Sequence, residues 1–285
     1  MSANGLPLLL RSFGLTTMAA MWDQSLAQAE HENWGYERLM RQLCESEAQD
    51  RQERRSARLL KAARFPDGKT LGNLNEKLLP AKIRRMLPSL LEGHFVDRAE
   101  NILAFGLPGR GKTHFLAALG RELILRRDFP VLFTPTFKLV QQLLTAKKEL
   151  RLDRELKELD RYPVIILDDL GYVQQDREEM EVLFTFLAER YERRSLMISS
   201  NLVFSKWDQI FKDPMTTMAA IDRLVHHALI LEFDGESVRA QQAQQREKGV
   251  GAPVSPLGST MSLAPGGAKD SVPPKGLTPN ENRAK

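Results

Sequence analysis

Residues 106–113 read Gly-Leu-Pro-Gly-Arg-Gly-Lys-Thr. Gly106, four further residues and then Gly111-Lys112-Thr113 is the spacing of a loop that wraps phosphates. Glycines let backbone N–H groups turn inward around an anion. Pro108, Gly109 and Arg110 complete the loop, and His114 follows it. Lys112 offers a cation to the terminal phosphates, and Thr113 offers a hydroxyl to Mg²⁺. A helix opening at Lys112 aims its positive end at the same anion. The chemistry these residues predict is the binding of a nucleoside triphosphate.

Three further pieces suit what such a site does next. Val164-Ile165-Ile166-Leu167 runs into Asp168-Asp169. At a strand's C-terminal end, Asp168 can hold the metal through water and Asp169 can polarise an attacking water. The plain alternative is a buried strand that ends on two aspartates. Ile198-Ser199-Ser200-Asn201 puts Asn201 after another apolar run, near a γ-phosphate, or else in an Asx turn. Arg223, in Ile221-Asp222-Arg223-Leu224, has the planar fork that spreads charge over phosphate oxygens. It can act on a neighbouring subunit's nucleotide or pair with an acid on its own helix.

A separate chemistry lies upstream. Arg51, Arg54, Arg55 and Arg58 share one stripe of a helix, and Lys61 and Arg64 extend the basic run. Leu59, Leu60 and Ala63 fall on another stripe and are expected to pack inward. Six cations against Glu53 alone suit sequence-independent phosphate contact, with strong salt dependence. The competing reading is a solvated helix face held by pairs such as Glu53. Lys138, Lys147 and Lys148 form a weaker basic candidate. No pattern suggests a base-reading code. Trp22, Trp34 and Trp207 are expected as core or interface anchors, and Cys44 as a small buried residue.

These residues need a scaffold. Residues 1–64 are polar and helical in pattern, and 65–80 gather Pro66, Gly68, Gly72 and Pro80 as turns and a linker. Short apolar strands are predicted at 101–105, 131–134, 164–167, 196–199 and 228–233. Helices are predicted at 112–127, 136–159 and 178–193. Wholly apolar strands separated by helices imply a parallel sheet covered on both faces. Residues 248–285, rich in Gly, Pro and Ser, are expected to be a disordered tail. The 285 residues thus divide as 1–78, a helical DNA-binding and assembly region; 79–240, a nucleotide-binding domain; and 241–285, the tail.

Composition agrees with a globular protein, 42% hydrophobic and 27% charged. A net charge of +4 is too mild to establish nucleic-acid binding by itself. One cysteine excludes an internal disulfide, and no His/Cys cluster has zinc spacing. No apolar run approaches the roughly 20 residues a membrane helix needs. The N-terminus lacks a basic start and a clear cleavage site, so the chain is expected in the cytoplasm, with no membrane partner.

In this order the four pieces resemble the AAA+ ATPases of the initiator and helicase-loader branch. The similarity is greatest to the IstB-like helper ATPases of bacterial insertion-sequence transposons. It is carried by GLPGRGKTHFLAALG, VIILDDLGY, ISSNLVFSKWDQIFKDP and AAIDRLVHHALILEFDGESVR. Phe204-Ser205-x-Trp207 and Asp213-Pro214 are characteristic strings, and residues 14–19 and RQERRSARLLKAARFP resemble the helper's helical region. The resemblance spans about residues 13–239. It implies a five-stranded parallel AAA+ sheet, ATP with Mg²⁺, and self-assembly on duplex DNA. It also implies recruitment of the transposase encoded by the same element. Site roles follow by motif: Lys112 and Thr113 on phosphate and metal, Asp168 on the metal, Asp169 as base, Asn201 as sensor and Arg223 as finger.

Two departures stand out. Most AAA+ proteins carry Asp-Glu where this chain has Asp168-Asp169, and the shorter carboxylate implies slow hydrolysis, as in a timer. The stretch after Arg239 is expected to be disordered, so a full helical lid is not expected there. A replicative helicase loader of the DnaC type shares the core and is the alternative. A small-molecule kinase would need an arginine-rich lid that the stretch after the second strand lacks.

Overall fold

The computed structural model describes residues 5–171, 177–202 and 214–234. Three helices lead: α1 (Gly5–Ser12), α2 (Thr16–His31) and α3 (Tyr36–Ala62). Short helices α4 (Ala81–Leu91) and α5 (His94–Asp97) precede alternating strands and helices. These are β1 (Asn101–Phe105), α6 (Lys112–Arg127), β2 (Val131–Pro135), α7 (Thr136–Lys148) and α8 (Leu152–Leu159). Then come β3 (Val164–Leu170), α9 (Arg177–Arg190), β4 (Ser195–Ser200), α10 (Pro214–Val225) and β5 (Ala228–Glu232).

All neighbouring strands pair in parallel, in the order β2-β3-β4-β1-β5. Side-chain alternation divides each strand between two cores. Ile102, Ala104, Phe133, Ile166 and Met197 face α4 and α6. Leu103, Phe105, Leu132, Ile165, Leu167 and Ile198 face α7 and α9. The α/β reading with a parallel sheet covered on both faces is correct. No helix among the described residues is long and apolar enough to cross a membrane.

The predicted helix at 136–159 is two helices. Arg151 N donates to Ala146 O and Leu150 N to Lys147 O, the paired bonds of a Schellman stop, with Leu150 at φ 55°. That position normally takes glycine or asparagine, so nothing in the sequence marks the break. Strand β3 also runs past its predicted end. Its pairing with β4 slips between Leu167 and Leu170, which places Asp168 and Asp169 in a bulge with Asp169 at φ 62°.

The N-terminal helices carry their own apolar cluster of Met18, Ala29, Leu39 and Leu43. Trp22 and Trp34 pack against it as expected. Glu47, buried on α3, caps α2 by accepting from Thr17 N (2.8 Å) and Met18 N (3.1 Å). Burial pushes its carboxyl up, but hydrogen bonds from Met18, Arg51 and Thr17 outweigh this and hold it below the usual value. Cys44 is exposed, contrary to expectation, because it lies beside rather than on the inward stripe of Leu39 and Leu43.

The stretch expected as a linker is packed. Phe65, Leu71, Leu74 and Leu79 join the α4–α6 core, as do Leu59, Leu60 and Ala63 of the preceding helix. Phe65 lies against Gly120 of α6, where an added Cβ would fall 2.7 Å from Ile166 and 3.0 Å from the Phe65 ring. Beside it, Phe133 N of edge strand β2 donates to Ala63 O at 2.8 Å.

Candidate functional site

The phosphate loop lies between β1 and α6. Gly106 is where glycine is obligatory: an added Cβ would meet the Phe233 carbonyl oxygen at 2.4 Å. Phe233 N bonds Phe105 O at 2.7 Å, so the end of β5 closes directly over the loop's first residue. Gly111, at φ 88°, begins α6 and turns its N-terminus toward the cleft.

A cleft of about 160 Å³ is lined by Lys69, Pro108, Gly109, Arg110, Gly111, Lys112, Thr113, His114, Asp169 and Asn201. Lys112 is buried. Its Nζ donates to Leu107 O at 3.0 Å, to Asn201 Oδ1 at 2.7 Å and to Gly106 O at 2.5 Å. All three are oxygens, so the ammonium is held by groups that a phosphate oxygen can replace.

A connected network stands behind the loop. Thr113 Oγ1 donates to Asp168 Oδ1 at 2.8 Å, and Ser199 Oγ donates to the same oxygen at 2.6 Å. Asp169 N donates to Ser199 Oγ at 2.8 Å, and Asn201 Nδ2 to Asp169 Oδ1 at 3.0 Å. Thr136 Oγ1 donates to Asp168 O at 3.0 Å. The bulge in β3 lets consecutive aspartates serve different tasks. Asp168 is turned in to Thr113, while exposed Asp169 faces the cleft beside Asn201. Thr113 and Asp168 thus converge as oxygen donors of the kind Mg²⁺ takes.

His114 lines the cleft, and its Nε2 lies 3.0 Å from Thr70 O. A carbonyl only accepts, so the ring donates there. Burial pushes its pKa down, against the pull of the Thr70 carbonyl, and Lys69 lowers it further. The loop residues, Lys112, Thr113, His114, Asp168, Asp169 and Asn201 are therefore gathered in one place.

Arg223 is not among them. It is exposed, and it lines a separate groove with Arg177, Met180, Glu181, Phe184, Thr185 and Ala188. Phe204, Ser205, Trp207, Asp213, Arg239 and the tail lie outside the described residues.

The basic stripe divides in two. Arg51 bonds Glu47 Oε1 and Gly14 O, Arg54 bonds Asp50 at 2.7 Å, and Arg55 lies 3.9 Å from Asp128. Arg58, Lys61 and Arg64 are exposed and have no ion pair among the described residues. Lys147 of the weaker candidate is paired with Glu181 at 2.8 Å.

Sequence reasoning missed Lys69, Thr136 and the part played by Ser199. Strand register carried the signal for Ser199, because Leu167 pairs with Ile198 and so sets Asp168 beside Ser199. Lys69 arrives from a turn-rich segment whose path no periodicity marks.

This strand order, with a phosphate loop after β1, paired aspartates on β3 and a polar residue ending β4, defines an ATP-binding P-loop protein of the AAA+ kind. Solved structures share the fold. One is a replication initiator DnaA bound to AMPPCP and single-stranded DNA, at TM-score 0.52 and 16% identity, covering 68% of this chain and 58% of that one. Another is domain III of the Thermotoga maritima DnaA, at TM-score 0.50 and 16% identity, covering 64% and 74%. The chain belongs to the IstB-like ATP binding protein family, which matches residues 9–246. It is similar to an insertion-sequence ATP-binding protein of Sinorhizobium fredii, 40% identical over 88% of this chain and 84% of that one. It is also 35% identical to the ATP-binding protein of insertion sequence IS21 of Pseudomonas aeruginosa, over 86% and 91%.

Proposed function

We propose that this chain is an ATP-switched, duplex-DNA-binding helper of a transposase. With ATP it assembles on DNA as a homo-oligomer, and hydrolysis ends the assembly. The assembly selects the target and recruits the transposase. Residues 1–78 supply DNA contact and assembly, and 79–240 supply the ATPase.

One observation carries the reading. Helix α3, whose C-terminal cations Arg58 and Lys61 make no ion pair among the described residues, continues without a gap into a segment built onto the nucleotide site. Ala63 holds the edge of β2, Phe65 fills the notch at Gly120, and Thr70 bonds the residue after Thr113. A shift in the phosphate loop on binding ATP is felt through packed side chains at the basic surface. The family's association with insertion sequences favours a transposase partner over a replicative helicase or a kinase substrate.

Within the site, Lys112 takes the terminal phosphates. Thr113 and Asp168 supply donors for a magnesium ion, which neutralises phosphate charge when bound. Asp169 orients and deprotonates the attacking water, with Asn201 fixing its carboxylate. Arg223, away from its own chain's cleft, completes the site of a neighbouring copy. Lys112→Ala should lose ATP-dependent DNA binding, measured by fluorescence anisotropy on duplex DNA. Normal ATP-dependent assembly by that variant would sink the switch.

A further inference from the structure

The end of the sheet opposite the phosphate loop holds a second set of ligating side chains. Glu192 lies in the turn between α9 and β4, and His226 and His227 form the turn between α10 and β5. His226 Nδ1 lies 3.9 Å and His227 Nε2 3.6 Å from the same carboxylate oxygen, Glu192 Oε1. One donor atom from each of the three lies within 4.8 Å of the others. The imidazole rings meet edge to face, 4.1 Å between centroids.

We infer that Glu192, His226 and His227 form a surface site for one divalent zinc-class cation. Two imidazoles and a carboxylate suit zinc, cobalt or nickel better than the all-oxygen preference of magnesium. A tetrahedral ion with bonds of about 2.0–2.1 Å needs donors about 3.3 Å apart. The spacings to Glu192 exceed this by roughly 0.3 and 0.6 Å, and the two imidazole nitrogens, within 4.8 Å of each other, must close in as well; χ rotations of the three exposed side chains supply this movement. The backbone holds both turns in place. His227 O accepts from Asn101 N at 2.8 Å, His226 N donates to Asp222 O at 2.9 Å, and Tyr191 N is bonded to Leu187 O at 3.1 Å.

Three protein ligands leave a fourth position for water. The Tyr191 hydroxyl, now 3.1 Å from His226 Nδ1, gives up that contact when the ion binds. The ion ties the end of α10, the helix that carries Arg223, to the turn entering β4. It makes no contact with the phosphate cleft, so the site stands whether or not Arg223 serves a neighbour.

The test uses the full-length, untagged chain in excess Mg²⁺, which fills oxygen-only sites. Calorimetry with zinc chloride should give one ion per chain, and cobalt(II) should produce a ligand-field absorption band. His227→Ala and Glu192→Gln should each weaken zinc binding by about tenfold or more and remove the band. No zinc uptake by the unmodified chain overturns the site, as does a smaller loss in Glu192→Gln. That exposed change keeps the test decisive if His227→Ala fails to fold. Lys112→Ala should bind zinc as the unmodified chain does, which separates this site from the nucleotide cleft.

Discussion

Asp168 and Asp169 are adjacent in sequence, yet one is turned in to Thr113 and Ser199 and the other toward the cleft beside Asn201. The bulge at Leu167/Leu170 and the left-handed backbone of Asp169 make this division. Aspartate tolerates that conformation better than a longer carboxylic side chain does, which gives a local reason for Asp in place of the usual Glu. Asp169→Asn should slow ATP turnover by about a hundredfold or more while leaving an ATP-bound assembly on DNA. Unchanged turnover in a phosphate-release assay would remove Asp169 from the reaction. Arg223→Ala should lower turnover at high protein concentration and leave single-chain nucleotide affinity intact. A specific rate that does not vary with concentration in the unmodified protein would refute a shared site. The residue types at 106–113, 168–169 and 201 were legible because chemistry restricts them. Lys69 was not, since it reaches the cleft by a loop path that only tertiary packing sets.

At the scale of elements, the strands and the helix after the loop could be read from apolar runs and their flanking turns. The division of α7 from α8 could not, because Leu150 occupies a position where glycine would have signalled a stop. Leu150→Gly should therefore raise stability by up to about 1 kcal/mol, seen as a higher urea midpoint, since it relieves a left-handed leucine exposed to solvent. The prolines and glycines of the segment after α3 are turn residues and suit a linker, but Phe65 and Leu71 between them pack on the core. Phe65→Ala should cost about 2–3 kcal/mol, below the range for a fully buried ring. It should also weaken ATP-dependent DNA binding more than it weakens ATP binding itself. Equal losses of both would show that Phe65 only supports the fold. Glu47→Gln removes a charged cap of α2 and should cost about 1–3 kcal/mol. With its carboxyl held below the usual value, Glu47 contributes stability above the ordinary carboxylate pKa. That contribution is lost as pH falls through the folded value.

At the scale of the whole molecule, the six cations of the basic run at 51–64 divide: Arg51, Arg54 and Arg55 face Glu47, Asp50 and Asp128, and Arg58, Lys61 and Arg64 have no ion pair among the described residues. If the proposed DNA contact rests on Arg58, Lys61 and Arg64 alone, the salt slope on a log–log plot of DNA affinity should be about −3 per bound chain. A slope near −5 would mean that all six reach phosphate and that those ion pairs open on binding. The bond from Phe133 to Ala63 bears on a different property. An unpaired outer strand of a sheet is a template on which a foreign strand can add, and here the end of a helix occupies part of that template. A chain cut just after Arg64 would bare β2 and lose the cover of Leu59, Leu60 and Ala63. The isolated nucleotide-binding core is then expected to precipitate or self-associate through that edge, so the helix proposed to grip DNA also shields the sheet from strand addition.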